Sequence, residues 1–451
     1  MAAPAEACRI IYLYFVRMHE SFLQFLWNYQ LFDKHDLRTE EGEPVQVLRA
    51  GTLNTNAGPD FSEARLLIGG VEWVGQVELH LRTSDWLLHK HQTNRAYDAV
   101  ILHVVWQHDA TVVRTDGTPI PTLALERRTH GRLLHKYQYL LHNAGVIPCQ
   151  AQFGQVPPLY VRQALDAAVD RRFRRKAGAV LELLRGNRGD WEETAYQLLA
   201  QTMGTKVNAA PFLRLARALP LKLLRKHGNS LLAMEALLFG QAGLLESPFA
   251  DAYPRELQRE YGFLRHKYGL EGSQVGAVAW KWARLRPANF PEVRIAQLAA
   301  LLFERKNLCS ALLEMGQAAD LPAALRIAPS AYWQSHYQFD KPSAKVQSSF
   351  GAASQENLLI NAVAPLLTAY AVEKDEMGYY GEAVQLLERL PAEENRITRD
   401  WQALGLPVAN AFDSQGSIEL FNHCCSENRC LQCPVGFYLL KNAPLELVPP
   451  R

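Results

Sequence analysis

Hydrophobic positions near the start of the chain recur at the spacing of an α-helix. Because they fall on one face of a 3.6-residue period, we predict an amphipathic helix over residues 18–31, with Trp27 near the edge of the apolar face. The apolar positions are Phe22, Leu23, Phe25, Leu26 and Tyr29.

The next hundred residues contain stretches typical of β-strands, rich in β-branched residues and separated by turn signals such as the Gly-Gly pair at 69–70. Between the third and fourth stretches, Ser84 is placed to cap a helix that begins at Asp85. The predicted order is therefore helix, three strands, helix, two strands. The predicted strands are residues 45–51, 61–68, 71–82, 99–106 and 111–126.

After about residue 130 the pattern changes to long helical stretches rich in Leu, Ala and Arg. Residues 158–186 and 190–204 are predicted helices, the second with Asp190 as its N-cap, and residues 293–307 and 357–373 follow the same pattern. The predicted fold class is α+β. A mixed β-sheet domain with flanking helices occupies residues 18–130, and an all-α domain with a cysteine-rich loop at 423–433 occupies residues 131–451.

Composition narrows the class of protein. With 48% hydrophobic and 21% charged residues the chain is typical of a soluble globular protein, and the apolar run at residues 10–16 is too short for a membrane span or a secretory signal. We expect Met18 to be the functional start. Seven cysteines without small-scaffold spacing indicate reduced thiols in the cytoplasm, and a net charge of +2 argues against a dedicated polyanion binder but allows a local basic patch.

Candidate metal ligands gather between Asp60 and His91. Strict alternation from Gln76 to Arg82 places Glu78 and His80 on one face of a strand, and a hairpin closed by the Gly-Gly turn would bring Asp60 towards Glu78. Two neighbouring carboxylates need a cation between them, and their hard oxygen atoms favour Mg²⁺ or Mn²⁺. The alternative is the polar face of an ordinary sheet with a buried salt bridge.

Two resemblances rest on this region. The blocks "AGPDF", "VELHLRTSDWLLHKH" and "ILHVV" resemble domain-of-unknown-function family 2851, a bacterial family, over nearly the whole chain from Met18. The first 125 residues also resemble the PD-(D/E)xK nuclease superfamily, with Asp60 at the first motif and Glu78-Leu79-His80 at the second. This fold is the restriction-endonuclease-like fold.

The second resemblance implies a metal-dependent nuclease that hydrolyses phosphodiesters in DNA or RNA. It implies that Asp60 and Glu78 hold Mg²⁺ or Mn²⁺, that Glu20 from the first helix is a further ligand, and that Gln92 and Tyr97 match positions used by some end-processing members with one residue too many between them. His80 stands where the motif has lysine, so it would orient the attacking water or steady the phosphate. The competing class is a non-catalytic nucleic-acid-binding or scaffold protein, in which Asp60 and Glu78 would engage Arg65 or Arg82.

Three more histidines have undecided roles. His89 and His91 diverge if both lie on a helix, and they can bind one ion if the segment is extended. His103 lies in an apolar strand, which is more typical of a core histidine than of a ligand. We expect one of the three to touch the site.

A second candidate metal site is the cysteine-rich loop. It contains a CxxC and two cysteines just before it, so one segment offers four sulphur ligands for tetrahedral Zn²⁺; the alternative is a set of reduced thiols that pack a helix end. Cys149 and Cys309 are isolated in the sequence and are interpreted as core or surface thiols. The four candidate ligands are Cys424, Cys425, Cys430 and Cys433.

Basic residues interleaved with aromatic residues form the third feature. Lys281, Arg284 and Arg286 precede a rigid, proline-bounded segment, and this arrangement is typical of phosphate-contacting surfaces. Most such runs are solvated faces, so the pattern predicts nucleic-acid binding only together with the acidic site.

Overall fold

A computed structural model describes residues 18–442 except residues 55, 143–144, 319, 345 and 347–348. The apolar run at 10–16 lies outside the described residues. Two compact units make up the chain: unit 1 contains the residues up to Ala164 and those from Leu420 onward, and unit 2 contains Leu165–Glu419. This division differs from the predicted boundary at residue 130, because the C-terminal segment belongs to the same unit as the sheet.

Unit 1 is built on a mixed six-stranded sheet with the order β1-β3-β4-β5-β6, and β2 pairs with β3. The β3–β4 pair is antiparallel, whereas β4–β5 and β5–β6 are parallel. The strands are β1 (Val45–Arg49), β2 (Thr52–Leu53), β3 (Phe61–Ile68), β4 (Val71–Arg82), β5 (Val100–Gln107) and β6 (Thr122–Ala124). The predicted mixed sheet and the α+β class are confirmed.

The predicted hairpin over residues 61–82 is also confirmed. Phe61 pairs with Val77, so Asp60, which precedes β3, lies beside Glu78. On the other side of β4, Glu78 is in register with His103 of β5. Strand β4 is therefore central, and both of its faces are buried from Val77 to His80.

Two predicted elements of this unit are shorter than expected. The strand predicted at 111–126 is reduced to β6, since prolines at 119 and 121 cannot donate to a sheet ladder and only an isolated bridge joins Val113 to Pro119. The helix predicted at Asp85 is a single turn, α2 (Asp85–Leu88), and Ser84 bonds to Asp109 instead of capping it. Two 3₁₀ turns, His91–Thr93 and Arg95–Tyr97, then lead into β5.

The first helix, α1 (Glu20–Tyr29), packs against β4. Four of its five predicted apolar positions are buried, whereas Tyr29 is exposed. Trp27 is not at an edge: it is fully buried and its indole N–H donates to the carbonyl oxygen of Ala50 at 3.0 Å. Helices α3 (Gly131–His142) and α18 (Pro434–Asn442) complete this layer. Phe25 of α1 contacts Phe437 with ring centroids 5.9 Å apart, which joins the C-terminal helix to the first helix.

Unit 2 is mainly helical around one large apolar core. A two-stranded sheet formed by β7 (His336–Gln338) and β8 (Lys341–Pro342) departs from the predicted all-α domain. Helix α4 runs from Pro158 in unit 1 into unit 2, and α17 ends at the first residue that returns to unit 1. The helices are α4 (Pro158–Gly186), α5 (Trp191–Met203), α6 (Thr205–Ala218), α7 (Leu221–Arg225), α8 (Leu231–Gln241), α9 (Ala252–Tyr268), α10 (Pro291–Glu304), α11 (Leu308–Met315), α12 (Leu321–Ala324), α13 (Ala352–Leu358), α14 (Ala364–Lys374), α15 (Gly378–Arg389), α16 (Arg396–Ala403) and α17 (Ala411–Leu420).

Several helix ends predicted for unit 2 agree with the structure. Helix α4 has the predicted bounds, and the Asp190 carboxylate caps α5 by accepting from the backbone N–H groups of Glu192 and Glu193. The helix predicted at 357–373 is divided by a π-helical turn, Leu359–Val363, between α13 and α14. No helix among the described residues is long and apolar enough to cross a membrane.

Gly75 tests the close approach of β4 to β5. A Cβ atom there would lie 2.5 Å from Cγ2 of Ile101 and 2.7 Å from the carbonyl oxygen of Ala99, so Gly75→Ala should destabilise unit 1 by roughly 1–3 kcal/mol through overpacking. Gly131→Ala is the matched control, since no atom lies within 4 Å of a Cβ at that position. Urea unfolding measures both variants, and equal stabilities would contradict the close approach.

Candidate metal centre

A pair of buried carboxyl groups lies at the centre of the candidate site. The backbone N–H of Asp60 donates to Oε2 of Glu78 at 3.0 Å, and the backbone N–H of Leu79 donates to Oδ2 of Asp60 at 3.0 Å. Each carboxyl group thus binds the backbone beside the other, across the hairpin. The structure brings Asp60 and Glu78 together as the sequence predicted.

Helix α1 supplies a third acidic side chain. Glu20 lies in its first turn, and Oε1 of Glu20 is 4.0 Å from Nε2 of His80. One helical turn later, the side-chain amide of Gln24 donates to Oδ1 of Asp60 at 2.8 Å. Since residues four apart share a helix face, the packing of α1 on β4 places both side chains on the hairpin.

His80 lies between the carboxyl groups and two other histidines. Its Nδ1 forms a hydrogen bond with Nε2 of His103 at 2.8 Å, and its Nε2 forms one with Nδ1 of His89 at 3.0 Å. Nε2 of His80 is also 3.6 Å from Oε1 of Glu78. Glu78 and His80 therefore share one face, as the alternation from Gln76 to Arg82 predicted.

His89 and His91 converge because of the backbone between them. Lys90 adopts a left-handed conformation with φ of 61°, an uncommon choice for a non-glycine residue, and this reverses the chain after α2. One ligand atom from each of His80, His89 and His91 can be chosen so that all three lie within 4.8 Å of one another. Nε2 of His91 is 3.4 Å from Oε1 of Glu78. The segment from His89 to His91 is neither helical nor extended over its whole length. Its backbone nevertheless brings both histidines to the site.

Burial raises the pKa values of all three carboxyl groups, and the charge of Asp60 adds to this effect for Glu20 and Glu78. Desolvation is the largest cause for each, and it raises the pKa of Asp60 to about 6. The neighbouring Asp60 charge further raises the pKa of Glu20 to about 7 and that of Glu78 to about 9. Three acids that resist ionisation when assembled form a site whose charge is best balanced by a cation.

The same burial keeps His80, His91 and His103 neutral. Desolvation, followed by the neighbouring His103, lowers the pKa of His80 to about 2. Desolvation also lowers the pKa of His91 to about 4 and that of His103 to about 3. A neutral His80 offers a ring nitrogen as ligand or acceptor, but it does not supply the fixed positive charge of the lysine that the nuclease motif carries at this position.

Three contacts in the site were not predicted from the sequence. Gln24 fixes Asp60, His103 bonds to His80, and the Tyr97 ring stacks on His91 with centroids 3.7 Å apart. Gln24 carried a signal, since it lies four residues after Glu20. His103 was interpreted as a core residue: it is fully buried, but its bond to His80 makes it a partner of the site.

The other predicted site residues lie elsewhere. Lys281, Arg284 and Arg286 are exposed on a loop of unit 2. The four cysteines of the C-terminal loop are buried in unit 1, between α17 and α18. Their roles in binding nucleic acid and metal stay predictions.

Comparison with known proteins gives one match. A family described as "Protein of unknown function (DUF2851)" matches residues 20–396. The chain belongs to DUF2851. The DUF2851 match begins at Glu20 and includes every residue of the acidic and histidine site, and it ends before the cysteine loop. No curated protein and no solved structure matches the chain.

The donor set fits a divalent cation. Carboxylate oxygens with imidazole nitrogens suit Mn²⁺ and related metals better than Mg²⁺, which prefers oxygen alone. Among the described residues, Nε2 of His91 is buried without a hydrogen-bond partner although it faces Glu78, as expected for a ligand nitrogen. His103 would accept from Nδ1 of His80, so Nε2 of His80, which lies 3.0 Å from Nδ1 of His89, would carry the lone pair of a ligand or acceptor.

The carboxyl groups predict an inverse dependence of stability on pH in metal-free protein. Between about pH 5 and pH 7 the folded state retains protons on Glu20 and Glu78 that the unfolded state has lost, and Glu78 retains its proton up to about pH 9, so the free energy of unfolding should fall as the pH rises through this range. Glu78→Gln should reduce this fall, since the amide does not ionise. Urea unfolding in the presence of a chelator measures the effect.

The matched control is Glu72→Gln, which changes a half-exposed carboxylate on the same strand that pairs with Arg65. This variant should keep the pH dependence of the wild type. Identical slopes for the wild type and Glu78→Gln would show that Glu78 is ionised throughout this range.

Proposed function

We propose that the protein is a metal-dependent nuclease that hydrolyses phosphodiesters in DNA or RNA. The observation that carries the proposal is the meeting of Glu20 and Glu78 at Nε2 of His80, with Asp60 bonded beside Glu78, at a site where burial makes their charges costly without a cation. The three acids come from separate elements. Burying them together without a cation would cost stability, which favours a functional reason for the arrangement.

Asp60 and Glu78 would hold the cation, with Glu20 and His91 as further ligands. A bound Mn²⁺ or Mg²⁺ would act as a Lewis acid that makes water a nucleophile near neutral pH. His80 would orient the attacking water through Nε2, since its hydrogen bond to His103 sets the direction of the ring. Gln24 would hold Asp60 in place by donating to the oxygen that does not bind Leu79.

Membership of the PD-(D/E)xK superfamily is part of this proposal. It is supported by the order of helix, antiparallel hairpin and parallel neighbouring strand, with acidic residues before β3 and within β4. It is further supported by the acidic residue in α1, because members of that superfamily often draw a ligand from the first helix. The departure at His80 leaves phosphate neutralisation to the metal.

Nucleic acid as the substrate is supported by the exposed cations of unit 2. Asn208 fixes the backbone of Lys281 through two hydrogen bonds, one to its carbonyl oxygen at 2.9 Å and one from its N–H at 3.0 Å. Arg284 and Arg286 follow on the same loop, and both are exposed. A fixed backbone that presents three cations suits contacts with phosphates, which position a nucleic acid without reading its sequence.

If the protein were a scaffold without catalysis, Arg65 or Arg82 would pair with the carboxylates of Asp60 and Glu78. Arg65 instead donates to Glu72, on the exposed side of the hairpin. The contacts of Asp60 and Glu78 described above are with backbone N–H groups, Gln24 and histidines. Arg65 is therefore not the partner of the two acids, which favours the metal-dependent class.

The first test of function is nuclease activity with Mn²⁺. Purified protein should nick or trim DNA or RNA, and Glu78→Gln should lower the rate by on the order of 100-fold or more, because it removes a charged ligand from the site. Calorimetry should show loss of Mn²⁺ binding in the same variant. Glu72→Gln should retain both activity and binding.

Equal activity in the wild type and Glu78→Gln would point to a contaminating nuclease. Mn²⁺ binding that is lost in Glu78→Gln, without cleavage of any tested DNA or RNA, would retain the metal site and contradict the nuclease.

The loop of unit 2 gives an independent prediction. Lys281→Ala with Arg286→Ala should weaken nucleic-acid binding by about tenfold at low salt and reduce its salt dependence, since each phosphate contact releases counterions. Arg284 is kept, because its φ of 64° is unfavourable for alanine. Fluorescence anisotropy with a labelled oligonucleotide measures the affinity.

The matched control is Lys374→Ala with Arg399→Ala, which removes the same charge from other exposed positions of unit 2. Equal losses in the two double variants would show a general charge effect and no defined contact.

A further inference from the structure

Five cysteines gather in unit 1, although one of them is distant in sequence from the others. All five are buried, and none forms a disulphide. They are Cys149, Cys424, Cys425, Cys430 and Cys433. Cys149, which the sequence presents as isolated, therefore belongs to the same group as the C-terminal loop.

The thiols of this group are electrostatic neighbours of one another. The pKa of Cys149 is raised to about 12, first by burial and then by the neighbouring Cys430. Burial raises the pKa of Cys425, and Cys149 is the first charged neighbour to raise it further. The pKa of Cys433 is raised first by a hydrogen bond with Cys424, then by burial, and Cys149 is again among its neighbours. Cys149 thus interacts with at least three of the four cysteines of the loop.

The backbone of the C-terminal segment is folded to bring its cysteines together. Arg429 N–H donates to the carbonyl oxygen of Cys424 at 2.7 Å, which returns the chain to the end of the π-helical turn Phe421–Cys425. Cys430 begins a 3₁₀ turn, and Cys433 N–H donates to its carbonyl oxygen at 3.2 Å. Cys433 ends the turn that Cys430 begins, so the turn holds the two cysteines on one short stretch of backbone.

Gly436 shows how closely the following helix approaches this turn. A Cβ atom at Gly436 would lie 2.1 Å from the carbonyl oxygen of Cys430, so any side chain at this position would displace the turn. Cys433 precedes α18, and its carbonyl oxygen accepts from the N–H of Phe437 at 2.8 Å. The geometry of the CxxC is therefore fixed by backbone contacts on both sides.

We propose that Cys149 and three of the four loop cysteines ligate a soft metal centre, either a zinc ion or an iron–sulphur cluster. Thiolates select both centres, and each is commonly held by four cysteines. The zinc site predicted from the sequence had ligands from the loop alone, whereas the centre proposed here also has Cys149 as a ligand. Neighbouring thiols that resist ionisation in a buried site lose their protons when a metal provides the opposing charge.

Such a centre would join the returning C-terminal segment to the first part of unit 1. Cys149 precedes the 3₁₀ turn Phe153–Gln155, and the loop precedes α18, whose Phe437 contacts Phe25 of α1. Metal binding contributes directly to the stability of small sites of this kind, so loss of the metal should loosen the attachment of α18. The competing interpretation is that the five thiols pack as small apolar groups.

The test is elemental analysis of untagged full-length protein purified without oxygen. The wild type should contain about one zinc per chain, or iron with acid-labile sulphide and visible absorption, and these readouts distinguish the two centres. Cys149→Ser should lose most of this metal. Cys309→Ser should keep it, since Cys309 is a buried thiol of unit 2 with Glu192 and Asp190 as its charged neighbours.

Glu78→Gln separates this centre from the acidic site. A metal held by the carboxylates is lost in Glu78→Gln and retained in Cys149→Ser, whereas a metal held by the thiols shows the opposite pattern. Thiol counting on the folded wild type needs no variant: about four thiols should become reactive when a strong chelator removes the metal.

Metal-free wild type whose thiol reactivity is unchanged by the chelator would overturn the proposal. If folded Cys149→Ser keeps its full metal content while Cys430→Ser loses it, the proposed role of Cys149 as a ligand would be overturned. The centre would then be formed by the loop alone.

Discussion

The exchange of hydrogen bonds between Asp60 and Glu78 is the constraint on which the candidate site depends. Each carboxyl group accepts a backbone N–H from the strand that carries the other, so the two acids are fixed by the hairpin itself. Because these bonds use one oxygen of each group, Oδ1 of Asp60 is left to accept from Gln24, and Oε1 of Glu78 is left to face the ring nitrogens of His80 and His91. The centre of the site is therefore fixed by hydrogen bonds on both acids.

The histidines extend this constraint to a second layer. His103 lies in register with Glu78 on the parallel strand β5, and it reaches His80 across the sheet. His80 and His91, both kept neutral by burial, then line one side of the acids, with His91 held against Tyr97. Burial of the central strand gives low-dielectric surroundings, and the imidazoles offer the nitrogen atoms that the proposed metal would use.

Unit 1 is completed by one helix from each of its two chain segments, α1 and α18. Helix α1 contributes Glu20 and Gln24, and α18 packs on α1 through Phe437 and Phe25. The acidic site and the cysteine group thus share one structural layer, although they come from different parts of the sequence. This arrangement explains why the C-terminal segment returns from unit 2 and completes the first unit.

The sequence by itself determined the hairpin, the common face of Glu78 and His80, the first helix and the approach of Asp60. These follow from period-2 and period-3.6 patterns, which are local and physical in origin. Their register could be predicted because a slip of one residue would place Val77 and Leu79 on the face that carries Glu78 and His80.

Only the tertiary structure decided the rest. The parallel pairing of β4 with β5 made His103 a partner of His80, the left-handed Lys90 turned His89 and His91 to one point, and the returning chain placed Cys149 among the loop cysteines. Each of these depends on contacts between residues with no common period, and a backbone conformation such as that of Lys90 is held by its surroundings and not by its residue type. Local patterns therefore place residues on a face, whereas the partners of that face are set by packing across the fold.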